Sequence, residues 1–150
     1  MIFVTAGTTL PFDALVRAVD ELVAGRVITD SVICQIGHGD YLPLHCEYFR
    51  FQPNVDAYIE RAALVIGHGG TGTVTGLLAS GKPFVAVANP LGADNHQAQF
   101  LERLAKLTPF LWTDDLSQLS DLIARAPGFV FQRNTSEHLA GDLCAFLRGA

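Results

Sequence analysis

Short apolar runs and longer stretches with helical spacing take turns along the chain, and their order predicts alternating strands and helices. Ile2-Phe3-Val4-Thr5 belongs to a strand predicted over 1–6, closed by the loop Gly7-Thr8-Thr9-Leu10-Pro11 with its breakers and hydroxyls. Pro11 suits the first turn of a helix, and behind it Leu15, Val16, Val19, Leu22 and Val23 recur at helical spacing. A second strand is predicted over 31–36, ending in Gly37-His38-Gly39-Asp40. A third, short and aromatic, is predicted over 48–52, with a brief helix after Pro53 that carries Val55, Tyr58 and Ile59. Ala62-Ala63-Leu64-Val65-Ile66 has the compact, β-branched character of a strand covered on both faces. A helix predicted over 73–79 stops at Ser80-Gly81, Lys82-Pro83 leads into a fifth strand over 84–88, and a polar loop covers 89–94. A helix over 95–106 then directs Phe100, Leu101 and Leu104 to the core. A short strand over 110–112 follows, and Asp114-Asp115-Leu116 opens a helix running to Ala126.

Such alternation predicts an α/β, Rossmann-like, doubly wound parallel sheet, because parallel neighbours need a covering crossover. The chain has 150 residues, 49% of them hydrophobic, and is expected to form a single domain. Near its end Leu139, Leu143, Phe146 and Leu147 fall on one helical face after Thr135-Ser136-Glu137, which predicts an amphipathic helix over about 135–148. That face either packs back on its own sheet or contributes to a partner surface.

In a doubly wound sheet, ligands sit at the carboxyl ends of the strands, where the loops after strands one, four and five gather. The loop after strand four, Gly67-His68-Gly69-Gly70-Thr71-Gly72-Thr73, is glycine-rich and precedes a helix. Backbone N–H groups and the helix dipole there favour an anion such as a diphosphate. The formal charge of −5, with the 10 Lys and Arg residues scattered, excludes a nucleic-acid partner. The 3 cysteines, Cys34, Cys46 and Cys144, lack CxxC spacing, so neither a zinc site nor a disulfide framework is indicated. No apolar run approaches the roughly 20 residues of a membrane span, and no leader pattern precedes the first strand. The expected location is the cytoplasm.

His68-Gly69-Gly70-Thr71-Gly72-Thr73, Gly81-Lys82-Pro83, Asn89-Pro90 and Asp94-Asn95-His96-Gln97, with Val4-Thr5-Ala6-Gly7-Thr8-Thr9 and Pro11-Phe12-Asp13, resemble the donor-binding half of family 28 glycosyltransferases. The resemblance runs from the first strand to about Leu104. It is strongest to the small split members, which serve as catalytic subunits of the two-part dolichol-pathway UDP-N-acetylglucosamine transferase and of bacterial exopolysaccharide transferases. It implies the C-terminal half of a GT-B fold, a UDP-sugar donor, and a membrane-associated partner subunit that supplies the acceptor half and a polyprenyl-diphosphate-linked acceptor. The chain would then be peripheral to the membrane through that partner.

The residues expected to bind substrate are Gly7, Thr8, His68, Gly69, Gly70, Thr71, Gly72 and Thr73, with Asn89, Asp94, Asn95, His96 and Gln97. Glycine-loop amides and the Thr71 or Thr73 hydroxyl would serve the diphosphate, and by resemblance His96 and Gln97 would contact the sugar. Asp94 reads as a helix N-cap, a sugar contact or both. His68 reads either as a loop histidine bonded to local backbone or as a donor near the diphosphate. No metal or other cofactor is expected: a DxD-type motif is absent, and in this fold the helix N-terminus takes the metal's electrostatic role. No catalytic base is identified; Asp13 reads as a helix-start carboxylate, and the base is expected on the partner. His38, His45 and His138 read as ordinary surface residues. One position departs from the family. Where many relatives carry a ribose-binding Glu or Asp, this chain has Gly76, with Thr75 beside it as a substitute. That departure keeps open a second reading, an accessory nucleotide-sugar-binding subunit without chemistry of its own. A dinucleotide oxidoreductase is disfavoured, since the glycine loop follows strand four and no acid ends the next strand.

Overall fold

Along β1 (Ile2–Thr5) the pleat sends Ile2 and Val4 to one face of the sheet and Phe3 to the other, and each face builds its own core. The computed structural model describes residues 1–92 and 95–129; Asp94, His138, Cys144 and the helix predicted over 135–148 lie outside them. The order continues with α1 (Asp13–Ala24), β2 (Val32–Gln35), β3 (Glu47–Phe49), α2 (Asp56–Arg61), β4 (Leu64–His68), α3 (Thr71–Ser80) and β5 (Phe84–Val87). Then come α4 (His96–Leu107), β6 (Leu111–Thr113) and α5 (Leu119–Arg125). Ile2 and Val4 pack with Leu15, Val16 and Val19 of α1 and Leu119 and Leu122 of α5. Phe3 joins Val74, Leu77 and Leu78 of α3 and Phe100, Leu101 and Leu104 of α4.

The 6-stranded sheet is parallel throughout, in the order β3-β2-β1-β4-β5-β6. The chain winds outward from β1 to the β3 edge, returns to the centre with β4 and winds outward again. β1 and β4 are therefore neighbours whose connections leave in opposite directions, and a crevice opens at their carboxyl ends.

Element boundaries move where backbone pairing overrides local composition. β4 runs past the predicted end at Ile66, because Gly67 and His68 still pair with Ala86 and Val87 of β5. α3 starts at Thr71, not Thr73: Gly70 caps it in extended backbone (φ −69°, ψ 142°), and the Val74 N–H already donates to Gly70 O at 3.0 Å. β3 shifts to residues 47–49, opposite Ile33 to Gln35 of β2. The glycine stop of α3 is as predicted, with Gly81 left-handed at φ 71°. Lys82 next to it donates from Nζ to the carbonyls of Glu60 (3.0 Å) and Ala62 (2.8 Å), which closes the C-terminal end of α2.

Two carboxylates of α1 hold the long β2–β3 connection. Asp13 Oδ1 accepts the N–H groups of Asp40 (3.0 Å) and Tyr41 (3.2 Å). Asp20 is only 2% exposed and accepts the Tyr41 hydroxyl (2.7 Å) and the N–H groups of Leu44 (3.0 Å) and His45 (2.7 Å). Burial pushes the Asp20 carboxyl up. The Leu44, Tyr41 and His45 hydrogen bonds, with the nearby His45 charge, outweigh it and hold the pKa below the ordinary value.

Asp20→Ala strands those donors and should cost about 2 kcal/mol or more, measured by urea denaturation. Because the folded-state pKa is depressed, the Asp20 contribution is complete above the ordinary carboxylate value of 3.8 and fades as pH falls through the folded-state value. The wild type should therefore lose stability toward acid more steeply than Asp20→Ala.

Candidate functional site

At the crevice, His68 closes β4 and its imidazole fills the space between two glycines. A side chain begun at Gly7 would lie 2.6 Å from His68 Nε2, and one begun at Gly70 would collide with His68 Cε1. Gly7 is also left-handed, at φ 84°, so glycine is required there on two counts. The ring uses both nitrogens inside the loop. Nδ1 accepts the Gly70 N–H at 3.2 Å, which places the ring hydrogen on Nε2, and Nε2 stands 3.0 Å from Thr73 Oγ1 as its donor. Thr73 Oγ1 thereby accepts from the ring and keeps its own hydroxyl hydrogen for another acceptor. Burial holds the His68 pKa below its ordinary value, in keeping with a neutral ring.

The amide donors are consequently fewer than the glycine count suggests. Gly67 lies in the strand, and the Gly70 N–H is taken by His68. At the start of the helix the N–H groups of Thr71, Gly72 and Thr73 have no intrahelical partner, and the dipole adds partial positive charge at the same place. Gly67, Gly69 and Gly72 do carry the G-x-G-x-x-G spacing, but it starts at the end of β4 instead of β1, and Ala88-Asn89, not an acid, follows β5.

A cavity of about 650 Å³ opens in front of these groups. Of the predicted residues, Gly7, Thr8, His68, Gly70, Thr71, Gly72 and Thr73 line it together. Thr5 and Gln35, at the ends of β1 and β2, form its floor: Thr5 Oγ1 donates to Gln35 Oε1 at 2.7 Å and accepts the Gly7 N–H at 3.3 Å. Its far wall comes from α2 and its approach, with Gln52, Val55, Asp56 and Ile59. Sequence reasoning did not select Thr5, Gln35, Gln52 or Asp56. The signal present for Gln35 is a polar residue closing an otherwise apolar strand.

The remaining predicted residues serve a second loop. Gly69 is buried behind the crevice, where a side chain would begin 2.8 Å from Leu101 Cδ1 and 3.2 Å from Gln97 Oε1. Gln97 Oε1 accepts the Asn89 N–H at 2.8 Å, and Asn89 donates from Nδ2 to Pro11 O at 3.0 Å while accepting the Leu91 N–H at 3.1 Å. Asn89 and Gln97 thus tie the loops after β5 and β1 together. Asn89 and Asn95 line a separate pocket of about 100 Å³, shared with Asp114, and His96 is exposed at the start of α4. Asn95 holds a left-handed φ of 54° as the residue before α4. Thr75 donates its hydroxyl back to Thr71 O at 2.8 Å, and Asp13 spends Oδ1 on backbone, as a helix-start carboxylate. His45 N is held by Asp20, and His38 stacks edge-on against Phe51 at 4.9 Å. Among the described residues no three His, Cys, Asp or Glu side chains gather as a metal site, and no helix is long and apolar enough to cross a membrane.

Strand order, switch-point crevice and glycine loop define a Rossmann-like domain of the kind found in GT-B glycosyltransferases. Residues 1–115 match the glycosyltransferase family 28 C-terminal domain, and the chain belongs to that family. It is 33% identical over 116 residues to the UDP-N-acetylglucosamine transferase subunit ALG13 of Homo sapiens, a match covering 70% of this chain and 10% of that protein. The chain thus spans about a tenth of that relative's length. The solution structure of an ALG13 superposes with a TM-score of 0.64 at 22% identity, covering 94% of this chain and 92% of that one. The crystal structure of Acinetobacter baumannii MurG gives 0.57 at 20% identity, with 81% of this chain matching 40% of that one.

Gly7→Ala should displace the His68 ring and destabilise the fold by roughly 1–3 kcal/mol, through the left-handed backbone and the collision with imidazole. The check is denaturation together with the His68 ring resonances, which should lose the Nε2–H pattern. In the wild type the His68 titration should lie below 6.5, the ordinary histidine value. With a depressed folded-state pKa the ring's contribution to stability is complete above 6.5 and declines as pH falls from there to the folded-state value.

Proposed function

We propose that this chain is the donor-binding, catalytic subunit of a two-component glycosyltransferase that moves a hexose or N-acetylhexosamine from a UDP-sugar to a polyprenyl-diphosphate-linked acceptor. The observation that carries the reading is the convergence at the β1/β4 crevice of unpaired α3 N–H groups and the Thr73 hydroxyl, oriented by His68. Departure of UDP from an oxocarbenium-like sugar builds negative charge on the leaving diphosphate. The Thr71, Gly72 and Thr73 amides, the Thr73 hydroxyl and the α3 dipole are fixed before the reaction and stabilise that charge without reorganising. This role requires no cofactor.

The sugar is assigned to the segment that opens α4, where Asn95 and His96 are exposed and Gln97 follows them; Asp94, the remaining residue of that assignment, lies outside the described residues. Gln97 keeps its amide nitrogen for a sugar hydroxyl while its oxygen holds Asn89. The acceptor-side base comes from a partner: Asp56 is the one carboxylate among the described residues lining the cavity, and it stands on the wall opposite the α3 face. The partner is a membrane-associated acceptor-binding subunit that carries the lipid-linked acceptor, and this chain sits in the cytoplasm, peripheral to the membrane through it. The names of the curated relatives, which specify a transferase subunit, support a divided enzyme. A second reading, a nucleotide-sugar-binding accessory subunit without chemistry of its own, draws on the bare wall at Gly76, where a side chain would meet no atom within 4 Å.

Gly70→Val drives the His68 ring from its slot and removes the order of the Thr73 hydroxyl, and should lower UDP affinity at least about ten-fold by calorimetry. Unchanged affinity in a folded variant contradicts the diphosphate assignment. Gln97→Ala should weaken UDP-sugar binding by on the order of 1 kcal/mol more than UDP binding. With a radiolabelled UDP-sugar, the chain alone should transfer little or nothing to membranes and become active when co-produced with its membrane partner. Full activity of the chain alone on a soluble acceptor contradicts the divided-enzyme reading, and nucleotide binding without transfer in the assembled pair favours the accessory one.

A further inference from the structure

We propose that Asp56 holds the ribose of the bound nucleotide, its carboxylate accepting the 2′ and 3′ hydroxyls from the far wall of the cavity; this rests on the nucleotide-sugar reading above. A nucleoside diphosphate held by its phosphates at the start of α3 must place its ribose in the same 650 Å³ cavity, because the glycine loop and α3 close one side of it. Beyond its first turn, whose hydroxyls face the diphosphate, the α3 wall offers a ribose little to bond: the Ser80 hydroxyl donates to Leu77 O at 2.7 Å. Side chains begun at Gly72 or Gly76 would meet no atom within 4 Å, and the Thr75 hydroxyl is turned back on Thr71 O at 2.8 Å. The opposite wall is α2 and its approach, where Gln52, Asp56 and Ile59 face the same space.

A vicinal diol presents two O–H donors side by side, and an ionised carboxylate, with two oxygens that only accept, is the side chain that matches it. Asp56 is the one carboxylate among the described residues on the cavity wall. Its backbone position is fixed: Asn54 Oδ1 accepts the Asp56 N–H at 2.8 Å, and Lys82 closes the other end of α2 through Glu60 O and Ala62 O. Among the described residues the carboxylate makes no ion pair, so binding a diol breaks none there. Asp56 is thus a nucleotide-binding residue that lets α3 remain bare at Gly76.

The test is calorimetry of the full chain and its Asp56→Asn variant with UDP and with 2′,3′-dideoxy-UDP. Asparagine keeps the shape of the side chain and replaces one acceptor oxygen with a donor. The expected result is a loss of UDP affinity of about ten-fold in Asp56→Asn, with the affinity for the dideoxy compound the same in both proteins. Equal UDP affinity in the two proteins overturns the assignment, as does an equal loss for UDP and its dideoxy analogue, which marks a merely structural role. Wild-type protein that binds no UDP removes the nucleotide reading and this assignment with it, and is recognised before any substitution is made.

Discussion

The crevice at the carboxyl edge of the sheet is arranged around one half-buried imidazole held between two glycines. His68 reaches from the end of β4 toward the turn after β1, and neither Gly7 nor Gly70 leaves room for a β-carbon. The ring thereby sets the separation of the two loops that flank the crevice. Through Nδ1 it fixes Gly70, the cap of α3, and through Nε2 it fixes the Thr73 hydroxyl. A neutral, desolvated ring suits this task, because protonation would put a second donor where the Gly70 N–H needs an acceptor. The N–H groups and hydroxyl at the start of α3 are therefore preset by packing and, on the proposed reading, do not have to be gathered when the diphosphate arrives.

A second set of constraints holds the loops that flank this centre. Asn89 and Gln97 bind the loop after β5 to α4 and to Pro11, while Asp13 and Asp20 of α1, with Arg50 on Gly37 O and Gly39 O, hold the connection from β2 to β3. Gly37, left-handed at φ 58°, comes so close that a side chain begun there would lie 2.5 Å from Gly7 O. The loops after β1, β2 and β5 are thus locked to one another by backbone-directed bonds. Such rigidity fits the proposed division of the enzyme between two chains, since a second chain could then complete a cleft whose first wall is already in place.

The alternation of short apolar runs with helical stripes made the fold legible, because a parallel sheet buries both faces and leaves strands such as Leu64-Val65-Ile66 unmistakable. The glycine loop was legible for a similar local reason: glycines and hydroxyls crowd between a buried strand and a helix. Contacts made in space left no such mark. Nothing in the spacing tells that the Gly70 amide is spent on His68 or that Gly67 belongs to the strand, which leaves the amides of Thr71, Gly72 and Thr73 as the donors at the start of α3. Asn89 and Gln97 bear the polar groups of ligand contacts, and the first use they make of them is to tie loops. Asp20 sits in the apolar stripe of α1, and only the fold reveals the N–H groups of Leu44 and His45 that justify its burial.

The central claim is that the start of α3, organised by His68, is where the nucleotide diphosphate binds. It is tested most directly by titrating isotopically labelled protein with UDP and following the backbone amide resonances. The account predicts the largest shifts at Thr71, Gly72 and Thr73, with the His68 ring retaining its Nε2–H form at saturation. Shifts centred on the pocket of Asn89, Asn95 and Asp114, with Thr71 to Thr73 unmoved, would contradict it.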